Sequence, residues 1–180
     1  MSISLSLDAN AFDYFFERAL DLSAELPLGE FDIFVRQEVA TELNSIRDIA
    51  SDGTSNVAKK QYICDTLDRS EIKTNATFGF AGSGCAGFGQ GTFQSDGERQ
   101  RYADPKMQSR IRNKPSRPTG LTKNEGDAAV AVSSFYSVVL TNDTKSGPIR
   151  DAYEQGGKVI FLSEFGAQTL SLKEYILSNV

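Results

Sequence analysis

The sequence contains no histidine. That removes histidine general bases, Ser-His-Asp triads and histidine-ligated zinc from consideration. Only two cysteines occur, Cys64 and Cys85, far apart and without Cys-x-x-Cys spacing. Such usage is expected of a reduced, cytoplasmic protein rather than of a disulfide framework. No apolar run reaches the length of a membrane-spanning helix, and no basic-then-apolar leader opens the chain, so neither a membrane span nor a signal peptide is expected. Gly-Lys-Ser/Thr is missing too, which leaves a P-loop unsupported. The net charge is −5, so contact with nucleic acid has to come from a local basic patch and not from the charge of the whole molecule.

What is present is enough for a core. The chain has 180 residues, 39% of them hydrophobic, which suits a single domain spanning 1–180. "ISLSL" (3–7) alternates apolar and small polar residues and reads as a strand, and "FDIFVR" (31–36) is a second. Between them Phe12, Phe15, Phe16, Ala19 and Leu20 recur at helical spacing. Helices are expected over 38–50, 56–70 and 124–136, and a strand at "SVVLT" (137–141). A turn and helix over 146–157, a strand at "KVIFL" (158–162) and a helix over 171–179 complete the pattern. In the last of these, Ser171 and Glu174 have capping-box spacing. Strands alternating with helices predict an α/β fold, a three-layer α/β/α arrangement around a mainly parallel sheet.

Residues 71–120 break that rhythm and read as an irregular insertion. Between 74 and 120 lie eight of the fifteen glycines. Gly82, Gly84 and Gly87 spell G-x-G-x-x-G, but more glycine follows instead of a helix, so no nucleotide cofactor is expected. Phe78, Phe80, Phe88 and Phe93 either pack over the domain or stack on bases. Over 98–117 seven cations face Glu98 and Asp104, a local balance of +5. Arg99, Arg101, Arg110, Arg112 and Arg117 are the candidates for holding a nucleic-acid backbone; a solvated loop or a protein contact would use them equally well.

Ligands of parallel sheets bind beyond the carboxyl ends of the strands. There stand Asp8, after "ISLSL", and Asp143, after "SVVLT". Glu42 falls on the edge of the apolar face of its helix, where a carboxylate needs compensation, whereas Glu38 lies farther round and is expected in solvent. Glu125 and Asp127 sit in the first turn of the helix from 124. Several carboxylates around one crevice would suit Mg²⁺ or Mn²⁺, which prefer hard oxygen ligands. Each acid has a plainer explanation: turn chemistry for Asp143, the helix dipole for Asp127.

The order of these motifs adds to their weight. "LSLDANAFDYF", "EVATELNSI", "NEGDAAVAV" and "VVLTNDTKSG", followed by "GGKVIFLSEF", resemble the successive motifs of PIN-domain ribonucleases. The similarity covers about 1–50 and 121–165. It implies a metal-dependent endoribonuclease acting on single-stranded RNA, often the toxin of a bacterial toxin–antitoxin pair. Asp8, Glu42, Asp127 and Asp143 would then be catalytic and hold the metal, with Glu125 a rival for Asp127. Asn10 and Thr141 would orient the carboxylates or the water. Homodimerisation and an antitoxin partner come with the resemblance; residues 71–120 match none of its motifs. Two other readings compete. One is a PIN-like module that binds RNA or protein without cutting. The other is a haloacid-dehalogenase-like phosphatase with Asp8 as nucleophile, which wants Asp where Asn10 stands.

Overall fold

Leu5, Ser6 and Leu7 are all fully buried, so the first strand, β1 (Ile3–Leu7), is covered on both faces, as a central strand of a parallel sheet must be. The structure, a computed structural model, describes residues 2–78, 91–93, 95–112, 119–122, 124–166 and 170–180, with the backbone alone at 77, 78, 91–93 and 112. From β1 the chain passes through α1 (Ala9–Glu17) and α2 (Leu22–Glu25) to β2 (Phe31–Arg36). Next come α3 (Gln37–Asn44), α4 (Val57–Arg69), β3 (Lys73–Phe78) and β4 (Gly91–Phe93). Helices α5 (Asp96–Ala103), α6 (Pro105–Arg112) and α7 (Glu125–Ser133) lead to β5 (Val138–Thr141). Then α8 (Pro148–Glu154), β6 (Val159–Phe161), α9 (Leu162–Phe165) and α10 (Leu172–Ser178) follow.

Among the described residues six strands form one sheet in the order β4-β3-β2-β1-β5-β6. Every pairing is parallel, and Leu7 of β1 lies opposite both Val35 of β2 and Leu140 of β5. The helices fall into two contact groups. On one side α4 packs against α1 and α2; on the other α7 packs against α5, α6 and α8, while α3 touches both α1 and α7. This is the α/β, three-layer architecture expected from the sequence. Sheet order turns at β1: the chain first builds outward to β4, then returns to add β5 and β6 on the opposite side. The crevice at the carboxyl ends of β1 and β5 is therefore the switch point where such folds bind ligands.

Some boundaries differ from expectation. The helix expected over 38–50 ends at Asn44. Ser45 caps it, its hydroxyl donating to the Glu42 carbonyl, and Ile49 instead bridges to Ser55 and is mostly exposed. The stretch 71–120, expected to be irregular, holds β3, β4, α5 and α6 where it is described. Helix α5 starts at a full Ser95–Glu98 capping box, and Asp104 accepts the Lys106 and Met107 amides at the start of α6. A cap rather than an apolar stripe makes α5, whereas α6 also packs Met107 and Ile111 into a cluster with Tyr102 and Val132. The G-x-G-x-x-G run and Phe80 and Phe88 lie outside the described residues.

Candidate active site at the carboxyl ends of β1 and β5

Asp8 ends β1 and caps α1. Its Oδ1 accepts the Ala9 amide at 2.8 Å. Its Oδ2 accepts the Thr141 hydroxyl at 2.7 Å and the Asn10 side-chain amide at 3.3 Å. The Asp8 amide in turn donates to the Leu140 carbonyl, which locks the end of β1 to β5. Thr141, the last residue of β5, is fully buried. Its hydroxyl also accepts the Asp143 amide at 3.0 Å, so a single side chain ties both acids to one place. Asp143 is half-buried, and its Oδ1 closes a turn by accepting the Lys145 amide. Asp143 is thus turn chemistry and a neighbour of Asp8 at once.

Electrostatics set Asp8 apart. With 2% of its surface exposed, burial pushes its carboxyl above the usual carboxylate range. Thr141, Ala9 and Asn10 pull it back, and the charge of Asp143 adds to the rise. A strand-end carboxylate held in this way is costly unless something positive joins it.

The other candidate acids gather where α3 meets the start of α7. Glu42 is half-buried, and its carboxylate lies against Gly126, where a Cβ would come within 3.3 Å of it. Glu125 is buried, with Oε2 accepting the Thr122 amide at 2.8 Å, and Asp127 is half-buried in the same turn. Glu38 departs from its expected place in solvent: it is buried, on a helix that packs against α7. Burial raises its carboxyl, Arg36 lowers it and Glu125 raises it further. Beside it Arg36, 1% exposed, donates to the Tyr136 hydroxyl at 3.0 Å. Sequence reasoning missed this buried Arg36–Glu38 neighbourhood. Its one signal was an arginine closing a strand that is apolar apart from Asp32.

The acids therefore stand as the pair Asp8 and Asp143 and as a second group across α3 and α7. Among the described residues, no set of three or more Cys, Asp or Glu side chains is disposed to hold a metal ion. Two carboxylates nonetheless suit Mg²⁺, which is commonly held by one or two of them together with waters and substrate oxygens. The buried negative charge of Asp8 is the kind that a cation relieves.

The arginines are spread out. Arg99 is exposed and loosely paired with Asp96 at 3.8 Å. Arg101 lies over the ring of Phe135. Arg110 grips the buried Asp151 through Nε at 2.5 Å and through a second nitrogen at 3.0 Å, which ties α6 to α8. The Arg112 side chain and all of Arg117 lie outside the described residues. Among the described residues no helix is long and apolar enough to cross a membrane. No family model, no curated protein and no solved structure matches the chain.

Proposed function

We propose that the protein is a cytoplasmic, metal-dependent endoribonuclease of PIN-like type that cuts single-stranded RNA at the crevice beyond β1 and β5. The observation that carries this reading is the Asp8–Thr141–Asp143 arrangement at the switch point of a parallel sheet. Asp8 and Asp143 are the residues that would hold Mg²⁺ or Mn²⁺. A bound cation supplies an acidified water and neutralises charge developing on the phosphodiester. Thr141 fixes the orientation of the Asp8 carboxylate and the backbone of Asp143, and Asn10 holds the remaining side of Asp8. Glu42, Glu125 and Asp127 add negative potential from α3 and α7. Arg99, exposed and weakly paired, would be a candidate to meet phosphate. An antitoxin protein covering this edge, and a homodimer, belong to the same reading.

One feature favours a binding module instead: both Asp8 oxygens already have protein donors. Incubating a mixed-sequence single-stranded RNA with the protein decides between them. The conditions are Mn²⁺, EDTA, and the variants Asp8→Asn and Asp143→Asn. Cleavage in Mn²⁺ that disappears with EDTA and in both variants is expected. Intact RNA throughout, with retained RNA binding that ignores both substitutions, would replace the nuclease by the module.

A further inference from the structure

A cavity of about 310 Å³ lies between α5, α6, α8 and the turn that follows α7. Its walls include Arg101, Lys106, Met107, Phe135, Ala152 and Gln155. Phe135 precedes β5 and Gln155 follows α8, so the cavity is at the end of the domain away from Asp8 and Asp143. That size is at the lower end of small-molecule pockets: room for one ring system and one charged group, not for an oligomer.

The charges around it do not balance. Asp151 holds Arg110 and also Lys106, the latter at 2.8 Å. Asp104 spends Oδ1 on the first amides of α6. Arg101 is half-buried and lies on Phe135; among the described residues no carboxylate pairs with it. The lining itself carries Arg101 and Lys106 against Asp104 and Asp151, and Arg110, outside the lining, also draws on Asp151. Burial works against the Arg101 cation and lowers its pKa, so an anion arriving there would be welcomed. A guanidinium over an aromatic ring can still offer N–H groups in the fork that carboxylates and phosphates accept. Met107 and Ala152 supply apolar wall, and Gln155 supplies an amide.

We propose that this cavity binds a small organic anion, one ring system bearing a single carboxylate or phosphate, with the anionic group on Arg101 and the ring against Met107 and Ala152. The inference stands apart from the nuclease reading and uses none of its acids.

Isothermal titration calorimetry of the full chain tests it with four probes: adenosine 5′-monophosphate, benzoate, adenosine and inorganic phosphate. One-site binding of adenosine 5′-monophosphate or benzoate is expected, with adenosine and phosphate weaker by roughly ten-fold or more. Arg101→Gln should weaken the organic anion by roughly ten-fold, the loss of one charged hydrogen bond. Gln155→Trp, at an exposed position on the rim, should block it as well, and keeps the test open if Arg101→Gln disturbs α5. Wild-type protein that saturates with neither organic anion would overturn the proposal. So would binding unchanged in both variants, or phosphate binding as tightly as the organic anions.

Discussion

Asp151 fastens the basic segment to the rest of the domain, and removing it is the most informative perturbation of the fold. The carboxylate is 8% exposed. It accepts two hydrogen bonds from Arg110, at 2.5 and 3.0 Å, and an ion pair from Lys106 at 2.8 Å. Bonds to charged groups contribute roughly 1.5–3 kcal/mol each before compensation. The Lys106 share is small, since its side chain is 56% exposed and surface pairs contribute little. Arg110, 26% exposed at its side chain, can turn to water when orphaned. The loss should therefore fall short of the roughly 3–5 kcal/mol of a fully buried broken pair. Asp151→Ala is expected to cost about 2–3 kcal/mol, which lowers Tm by on the order of 5–10 °C in a chain of this size. Urea and thermal melts of Asp151→Ala, Arg110→Met and the double variant measure it, and non-additivity of about 1–2 kcal/mol is expected. The pH dependence has a definite sign. Burial alone would raise the Asp151 carboxyl, but Arg110 and Lys106 outweigh it and hold it below the ordinary value of 3.8. The stabilisation is then fully present above that ordinary value and fades only as the pH falls through the folded one. A change within about 0.5 kcal/mol, or strict additivity, would refute the tether and return Arg110 to the candidates for holding a nucleic-acid backbone.

Three further outcomes follow from the geometry. Thr141→Val keeps shape but removes the hydroxyl that joins Asp8 to the Asp143 backbone; on the nuclease reading, RNA cleavage by the variant should fall by roughly 10–100-fold, with its metal-free stability falling below wild type by no more than about 2 kcal/mol. Glu38→Gln should gain stability over wild type as the pH rises above 4.5, because burial holds the folded carboxyl above that ordinary value and ionised Glu38 is a cost there; urea midpoints at pH 4 and pH 7 would refute this if the difference does not grow. In Gly157→Ala the new Cβ would sit 2.2 Å from the Ser134 hydroxyl and 2.9 Å from the Ala152 carbonyl. Since Gly157 also closes the end of α8 with a bond to that carbonyl, a loss of about 2 kcal/mol or more is expected in thermal melts.

The strands at Ile3–Leu7 and Phe31–Arg36 were legible in the sequence because the first alternates apolar with small polar residues and the second gathers aromatic and β-branched ones. Asp8 and Asp143 were legible in turn: a buried strand that stops at an acid advertises its carboxyl end. Strand β3, "KTNATF", was not, since its pairing with β2 involves lysine, threonine and asparagine. Helix α5 buries little beyond Tyr102, so periodicity had nothing to detect, although the spacing of Ser95 and Glu98 was there to be read. The burial of Glu38 escaped a reading confined to its own helix, because α3 packs against α7, almost ninety positions along the chain.

Placing β5 beside β1 has a consequence for how the site comes into being. Asp8 and Thr141 are 133 positions apart, and closing so long a loop is slow compared with local pairing. As the chain leaves the ribosome, β1 can join β2 early, but its other edge stays open until β5 has been made. During that interval the uncovered edge invites pairing with other chains, and Asp8 has no partner to share a cation with. On the nuclease reading, a nascent chain carries half a site and cannot cut the message that encodes it until β5 has emerged.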